Sequence, residues 1–299
     1  MTTNHSRPLA DFGGWPAVLS GLIARRDLDP EVAEAAITEI LEGSATPSQM
    51  TAFIVALRAK GETAPELAGM LRAVRTAGQR VDLPGDVAAR AIDIVGTGGD
   101  MSQSFNVSTV TAFVVAGAGV PVCKHGNRAA SSKCGAADLL EELGVAAELD
   151  PVGVAECISQ ANMGFCLAAR FHPAFRYTGP SRRTLGGECR VVALRDGAIT
   201  EFGIDASDVG FDNAPLDAIR GGDARENADI ARRILAGEAG PMRNTVVFNA
   251  AAALHVAGLA ADLREGRALA EASIDGGAAS SVLDRLVVAS DRAAKRLEQ

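Results

Sequence analysis

Aromatic residues are scarce: ten phenylalanines, one tryptophan and one tyrosine make up 4% of the 299 residues. So few large rings favour helix-rich layers in which alanine and glycine let backbones approach closely. The five cysteines (Cys123, Cys134, Cys157, Cys166 and Cys189) include no CxxC spacing. An odd count without that spacing excludes a zinc framework or a disulfide scaffold and reads as reduced thiols. Excess positive charge is also missing. A formal net charge of −8 and the absence of a basic stripe exclude a general grip on nucleic acid or anionic lipid. No apolar run suffices to cross a bilayer, since the longest, near Val110–Val122, is interrupted by Gly117 and Gly119. The first residues, with His5, Pro8 and Asp11, show no apolar leader. A cytoplasmic protein without membrane or nucleic-acid partners is expected.

The length allows two domains. Residues 1–11 read as a flexible tail and 12–83 as a small helical domain. There Asp29-Pro30, Thr46-Pro47 and Thr63-Ala64-Pro65 place a capping side chain at or just before a helix-compatible proline. Apolar residues follow at helical spacing: Val32, Ala36, Ile37, Ile40; then Met50, Phe53, Ile54, Leu57; then Leu67, Met70, Leu71, Val74. These faces exceed what a few short helices hide, which suggests a contact with a second copy. Residues 84–299 change pattern. Ile92–Val95, Val120–Cys123 and Gly164–Leu167 are short β-prone runs alternating with helical stretches, the form of βαβ units. Arg190–Leu194 and Ala198–Phe202 flank a turn at Asp196-Gly197 and predict a hairpin. Helices are expected at about Ala224–Leu235 and Thr245–Ala257, followed by a C-terminal helical pair. The fold class is therefore α/β: a small N-terminal helical domain, then a larger α/β domain whose central sheet is largely parallel and flanked by helices.

Two glycine-rich blocks carry the functional signal. Asp93-Ile94-Val95-Gly96-Thr97-Gly98-Gly99-Asp100 runs on to Ser104, Asn106, Val107, Ser108 and Thr109. Lys124-His125-Gly126-Asn127-Arg128 continues through Ser131, Ser132 and Gly135 to Asp138. Each lies where a strand hands over to a helix, the place where open α/β sheets bind anions. Backbone N–H groups of a glycine turn and of a helix N-terminus both point at phosphate. The first block lacks the G-x-G-x-x-G spacing of dinucleotide sites and reads either as a phosphate cradle or as a capped turn, with Asn106 or Ser108 capping the helix. In the second, Lys124 offers a compact positive charge to a pyrophosphate, and Asn127 can both donate and accept. The alternative is a solvated charge cluster. Downstream of His172-Pro173, Arg182 or Arg183 reads either as a bidentate clamp for a carboxylate or as a surface pair.

Taken together, GTGGD at 96–100, FNVST at 105–109, KHGNR with its SSK continuation from Lys124, and the HPA to RR-x-LG run at 172–186 resemble the anthranilate phosphoribosyltransferases of tryptophan biosynthesis. The likeness runs from about Trp15 to Val288; the GTGGD element is shared with nucleoside phosphorylases. It implies a homodimer that transfers the phosphoribosyl group of phosphoribosyl pyrophosphate to the amine of anthranilate, with Mg2+ and release of pyrophosphate. It implies donor contacts from Gly96, Gly99, Asp100 and Ser104, and from Asn106, Val107, Ser108 and Thr109. The second block would add Lys124, His125, Gly126, Asn127 and Arg128, then Ala129, Ala130, Ser131 and Ser132, with Ala136 beyond. Ser108 would reach the metal; Gly96, Asn127 and Arg182 would meet anthranilate. The chain departs from the family pattern after Gly186. The family's FN-x-LGPL-x-NP segment and its HG…GLDE motif are absent, and no adjacent Asp-Glu pair occurs in the sequence. The alternative readings are a relative that binds the donor or another anion without turnover, and a nucleoside phosphorylase.

Overall fold

The computed structural model describes residues 7–96, 103–129, 133–171 and 189–299. Two compact units emerge, one on residues 7–80 with Phe171 and one on 81–170 with 189–299. The first holds α1 (Gly14–Ile23), α2 (Pro30–Leu41), α3 (Pro47–Lys60) and α4 (Ala64–Ala77). Its helix starts follow local chemistry. The Asp29 carboxylate accepts from Glu31 N–H, and Thr46 and Thr63 form capping boxes with Gln49 and Glu66. Helix α2 packs on α4, and α1 on α3. Trp15 and Phe53 meet edge to face at 5.8 Å, and the Trp15 indole donates to Glu39 at 2.7 Å. Residues 9–11, expected in the tail, belong instead to a 3-10 turn (Leu9–Phe12), where Leu9 is only 1% exposed; residues 1–6 lie outside the described residues. Leu9 packs in the helical core, and backbone bonds from Asp11 N–H to Pro8 and from Gly13 N–H to Ala10 close the turn.

The second unit is built around α6 (Val107–Gly117), which follows the short α5 (Gly85–Ala88). Val107 and every residue from Thr109 to Ala116 are buried, the mark of a helix covered on all sides. It packs against α11 (Pro241–Val256), α12 (Leu263–Asp275) and α13 (Ala278–Leu297). The parallel sheet comprises β1 (Val122–Gly126) and β2 (Met163–Leu167), with Val122 level with Met163 and Gly126 level with Leu167. Between them run α7 (Ala136–Glu142) and α8 (Pro151–Ala161), the latter capped by Asp150 through Gly153 N–H. A short α9 (Ala168–Phe171) follows β2.

The strand expected at Ile92–Val95 is reduced to one parallel bridge, Ile92 to Val122. Beyond Ile92 side chains replace the ladder: the Asp93 carboxylate accepts from His125 N–H at 3.1 Å, and Lys124 Nζ donates to the Ile94 carbonyl at 2.6 Å. The hairpin forms as β3 (Cys189–Arg195) and β4 (Ala198–Ile204), separate from the parallel sheet. Asp196 and Gly197 have φ of 50° and 79° at its turn, the left-handed pair that matches strand twist. Its outer face leaves Leu194 73% and Ile199 69% exposed. Helix α10 (Ala224–Leu235) starts at a capping box of Asp223 with Glu226, whereas α11 begins a turn earlier than expected, at Pro241.

Candidate functional site

Strand β1 delivers Lys124, His125 and Gly126 to the carboxyl end of the parallel pair. Lys124 is 1% exposed, and its ammonium stands between two segments, donating to the Ile94 carbonyl and, at 3.5 Å, to Ser108 Oγ. The alternative of a solvated charge cluster therefore does not hold for Lys124. The charge is buried under the start of the first glycine block and against the first turn of α6. There it still raises the potential where an anion would sit, more strongly than it would in water.

Asn106 precedes α6 but does not cap it with its side chain. Its amide joins three segments instead. Nδ2 donates to the Cys134 carbonyl at 3.2 Å, and Oδ1 accepts from Asn227 Nδ2 at 2.8 Å. Asn227 Oδ1 in turn accepts from Gly222 N–H at 2.9 Å. Asn106 and Asn227 are both buried, so this relay fixes the α6 N-terminus relative to the second block and to the loop before α10. Val107 and Thr109 point into the core, and Ser104 is buried beside a bridge to Arg220. Ser108 alone of residues 104–110 is partly open. Gly96 is partly open as well, at the edge of the described stretch.

The second block closes on itself. The Asp138 carboxylate accepts from Ala129 N–H at 2.9 Å and from Gly135 N–H at 2.8 Å, and the Asn127 carbonyl accepts from Ala137 N–H at 3.2 Å. Gly135 is required by this closure: a Cβ there would lie 2.3 Å from Ala129 N and 2.4 Å from the Arg128 carbonyl carbon. Gly126 has a similar constraint, facing Phe165 at 2.7 Å and the partly open Ala136 at 2.9 Å. Asn127 Oδ1 takes Arg128 N–H at 2.9 Å. Arg128 itself is turned to other work. Its guanidinium forks onto Glu141 at 2.7 Å and reaches Glu148 at 2.8 Å, and these carboxylates hold its pKa above the ordinary value. Two carboxylates compete there with any donor phosphate.

Gly99, Asp100, Ala130, Ser131, Ser132 and Arg182 lie outside the described residues. Asp138 and Asn227 add positioning contacts to the two blocks. Asp138 had a readable signal, an acid three residues past Gly135 at a helix start; Asn227, 121 residues from Asn106, had none in local pattern. For magnesium, the described residues bring up one hydroxyl, Ser108, 3.5 Å from an ammonium. No group of three or more His, Cys, Asp or Glu side chains converges among them. Magnesium is usually bound through one or two carboxylates plus substrate phosphates, so these residues do not fit a metal held by the protein alone.

The helical unit and the α/β unit each match a glycosyl transferase family model. Residues 16–78 match the model "Glycosyl transferase family, helical bundle domain", and 88–189 with 186–280 match "Glycosyl transferase family, a/b domain". The anthranilate phosphoribosyltransferase of Salinispora arenicola (strain CNS-205) is 41% identical over 337 residues, covering 91% of this chain and 96% of that protein. The crystal structure of the enzyme of the same name from Thermus thermophilus is 33% identical with a TM-score of 0.84, covering 92% of this chain and 99% of that one. The chain belongs to the anthranilate phosphoribosyltransferase family. A Saccharomyces cerevisiae structure of that name, in complex with PRPP and Mg, shares the fold at 22% identity and a TM-score of 0.77, covering 93% of this chain and 98% of its own. The a/b model matches in two pieces that meet at 186–189, where the sequence departs from the family pattern. The 337 aligned positions also outnumber the chain's 299 residues, so the Salinispora protein carries residues with no counterpart here.

Proposed function

We propose that this chain transfers the phosphoribosyl group of phosphoribosyl pyrophosphate to the amine of anthranilate. The observation that carries the reading is Lys124, whose buried ammonium ties Ile94, at the head of the first glycine block, to Ser108 in the first turn of α6. In the reaction the bond from ribose C1 to the pyrophosphate oxygen breaks, and a bond from C1 to the anthranilate nitrogen forms. Negative charge grows on the departing pyrophosphate while the ribose carbon turns cation-like. A preorganised positive charge and fixed N–H donors stabilise the leaving group without reorganising. The aromatic amine needs orientation rather than a strong base, and it sheds its proton after attack. Gly96, Asn127 and Arg182 orient it, with Arg182 clamping the carboxylate. Magnesium would be held mainly by the donor's own oxygens, with Ser108 beside it, and would neutralise charge on the departing pyrophosphate.

The test is loss of anthranilate fluorescence on adding the donor and magnesium to the purified chain. Turnover is expected. Arg182→Ala should raise KM for anthranilate by about 10- to 100-fold, the worth of one charge-assisted fork, while KM for the donor moves little. Equal changes in both constants would remove Arg182 from the acceptor site. A second reading, donor binding without turnover, is favoured by the two-piece match at 186–189. Calorimetric binding of the donor by a folded chain that consumes no anthranilate would select it.

The proposal extends to assembly and location. No helix is long and apolar enough to cross a membrane among the described residues, and we place the enzyme in the cytoplasm. Exposed Ile54 and Val55 on α3, with Leu67 and Leu71 on α4, give the helical unit an apolar surface suited to a second copy of the chain. Sedimentation equilibrium should return twice the chain mass; a monomer at micromolar concentration would overturn the pairing.

A further inference from the structure

Two thiols lie side by side at the heart of the parallel sheet. Cys123 Sγ and Cys166 Sγ are 3.6 Å apart. The register explains the meeting: Cys123 is level with Gly164, and Cys166 lies two residues further along β2, so both side chains leave the same face. Cys123 is half-buried and Cys166 is buried. The spacing is that of two sulfurs on one soft centre, since thiolates about 2.3 Å from a tetrahedral ion stand roughly 3.8 Å apart. A resident four-ligand metal is not what the surroundings serve, because no third His, Cys, Asp or Glu converges among the described residues. The pair suits a thiophilic centre that needs two sulfurs and brings its remaining substituent with it.

We propose that Cys123 and Cys166 form a chelating site for trivalent organoarsenicals, a soft electrophile class that joins two neighbouring thiols. The reaction balances without a redox partner. An arsonous acid, R–As(OH)2, loses both As–O bonds and gains two As–S bonds, and each thiol proton leaves with a hydroxide as water. The sharing of a proton between the sulfurs favours it: the hydrogen bond with Cys166 holds the Cys123 thiol below its ordinary value, and the same bond raises Cys166. The thiolate is the attacking species. Cys157 is a poor competitor, buried and with its thiol pushed up by burial to about 12. The adduct would tie β1 to β2 one residue before Lys124, so it also lies next to the donor site.

The probe is phenylarsine oxide, which hydrates to the arsonous acid, added equimolar to the full chain and read by intact mass. One phenylarsenic(III) unit per chain is expected, removed by excess 2,3-dimercaptopropanol. C123S and C166S should each lose about 10²- to 10⁴-fold in affinity, the loss when a second linked contact is removed. C189S should keep the adduct. Circular dichroism of each variant confirms folding, and blocking the unmodified chain with N-ethylmaleimide, which caps single thiols, should abolish uptake without any mutation. No adduct on the unmodified chain, or uptake undiminished in a folded C123S or C166S, overturns the proposal.

Discussion

Replacing Lys124 with alanine is expected to weaken binding of phosphoribosyl pyrophosphate by roughly 30-fold or more. Truncating one member of a buried, hydrogen-bonded charge pair costs about 2–5 kcal/mol, and the proposed interaction of the anion with Lys124 would be of that kind. Two effects would act together in this variant. The positive charge under the first glycine block disappears, and the Ile94 carbonyl loses its donor at 2.6 Å, so the block loses this tie to β1 and keeps the one between Asp93 and His125 N–H. Lys124→Met separates both from simple loss of packing, because methionine refills the stem of a side chain that is 1% exposed but carries neither charge nor donor. If charge and anchoring matter, both variants lose donor affinity in calorimetric titrations while α6 and the sheet stay folded. Unchanged affinity in Lys124→Met would show that Lys124 only fills space, and the proposed donor site would lose its central cation.

What the sequence shows and hides follows the range of the interactions. Helix starts at Asp29, Thr46, Thr63 and Asp150 are legible because cap and capped N–H lie within three residues. The hairpin is legible because its two turn residues alone set the left-handed geometry. The strand expected from Ile92 to Val95 fails for a non-local reason. Its ladder positions are taken by the side chains of Lys124 and Asp93, partners about 30 residues apart in the chain. Asn106 looks like a cap in the sequence, yet Asn227 and the Cys134 carbonyl claim its amide. Arg128 looks like a phosphate ligand until folding brings Glu141 and Glu148 beside it. Residue chemistry can be read along the chain, but which partner wins it is decided by tertiary contact.

The helical unit should depend heavily on one carboxylate, and Glu66→Ala is expected to destabilise it by about 3 kcal/mol, the low end for breaking a buried ion pair. Glu66 is 0% exposed. Its oxygens accept from Leu28 N–H at 2.8 Å, Thr63 N–H at 2.8 Å and Lys60 Nζ at 2.9 Å. One side chain therefore joins the loop before α2, the end of α3 and the cap of α4. Removing it strands the Leu28 N–H and leaves the Lys60 ammonium to Asp27 and the Gly61 carbonyl. Burial pushes the Glu66 carboxyl up, but the bonds from Leu28, Lys60 and Thr63 outweigh it and hold its pKa below the ordinary 4.5. A depressed folded pKa stabilises fully above the unfolded value, and that contribution fades as pH falls through the folded one. Urea melts of the parent chain should thus lose stability on acidification below about pH 4.5, and Glu66→Ala should remove part of that slope. A variant as stable as the parent at pH 7, with the same acid slope, would show that Leu28, Lys60 and Thr63 are held by other means.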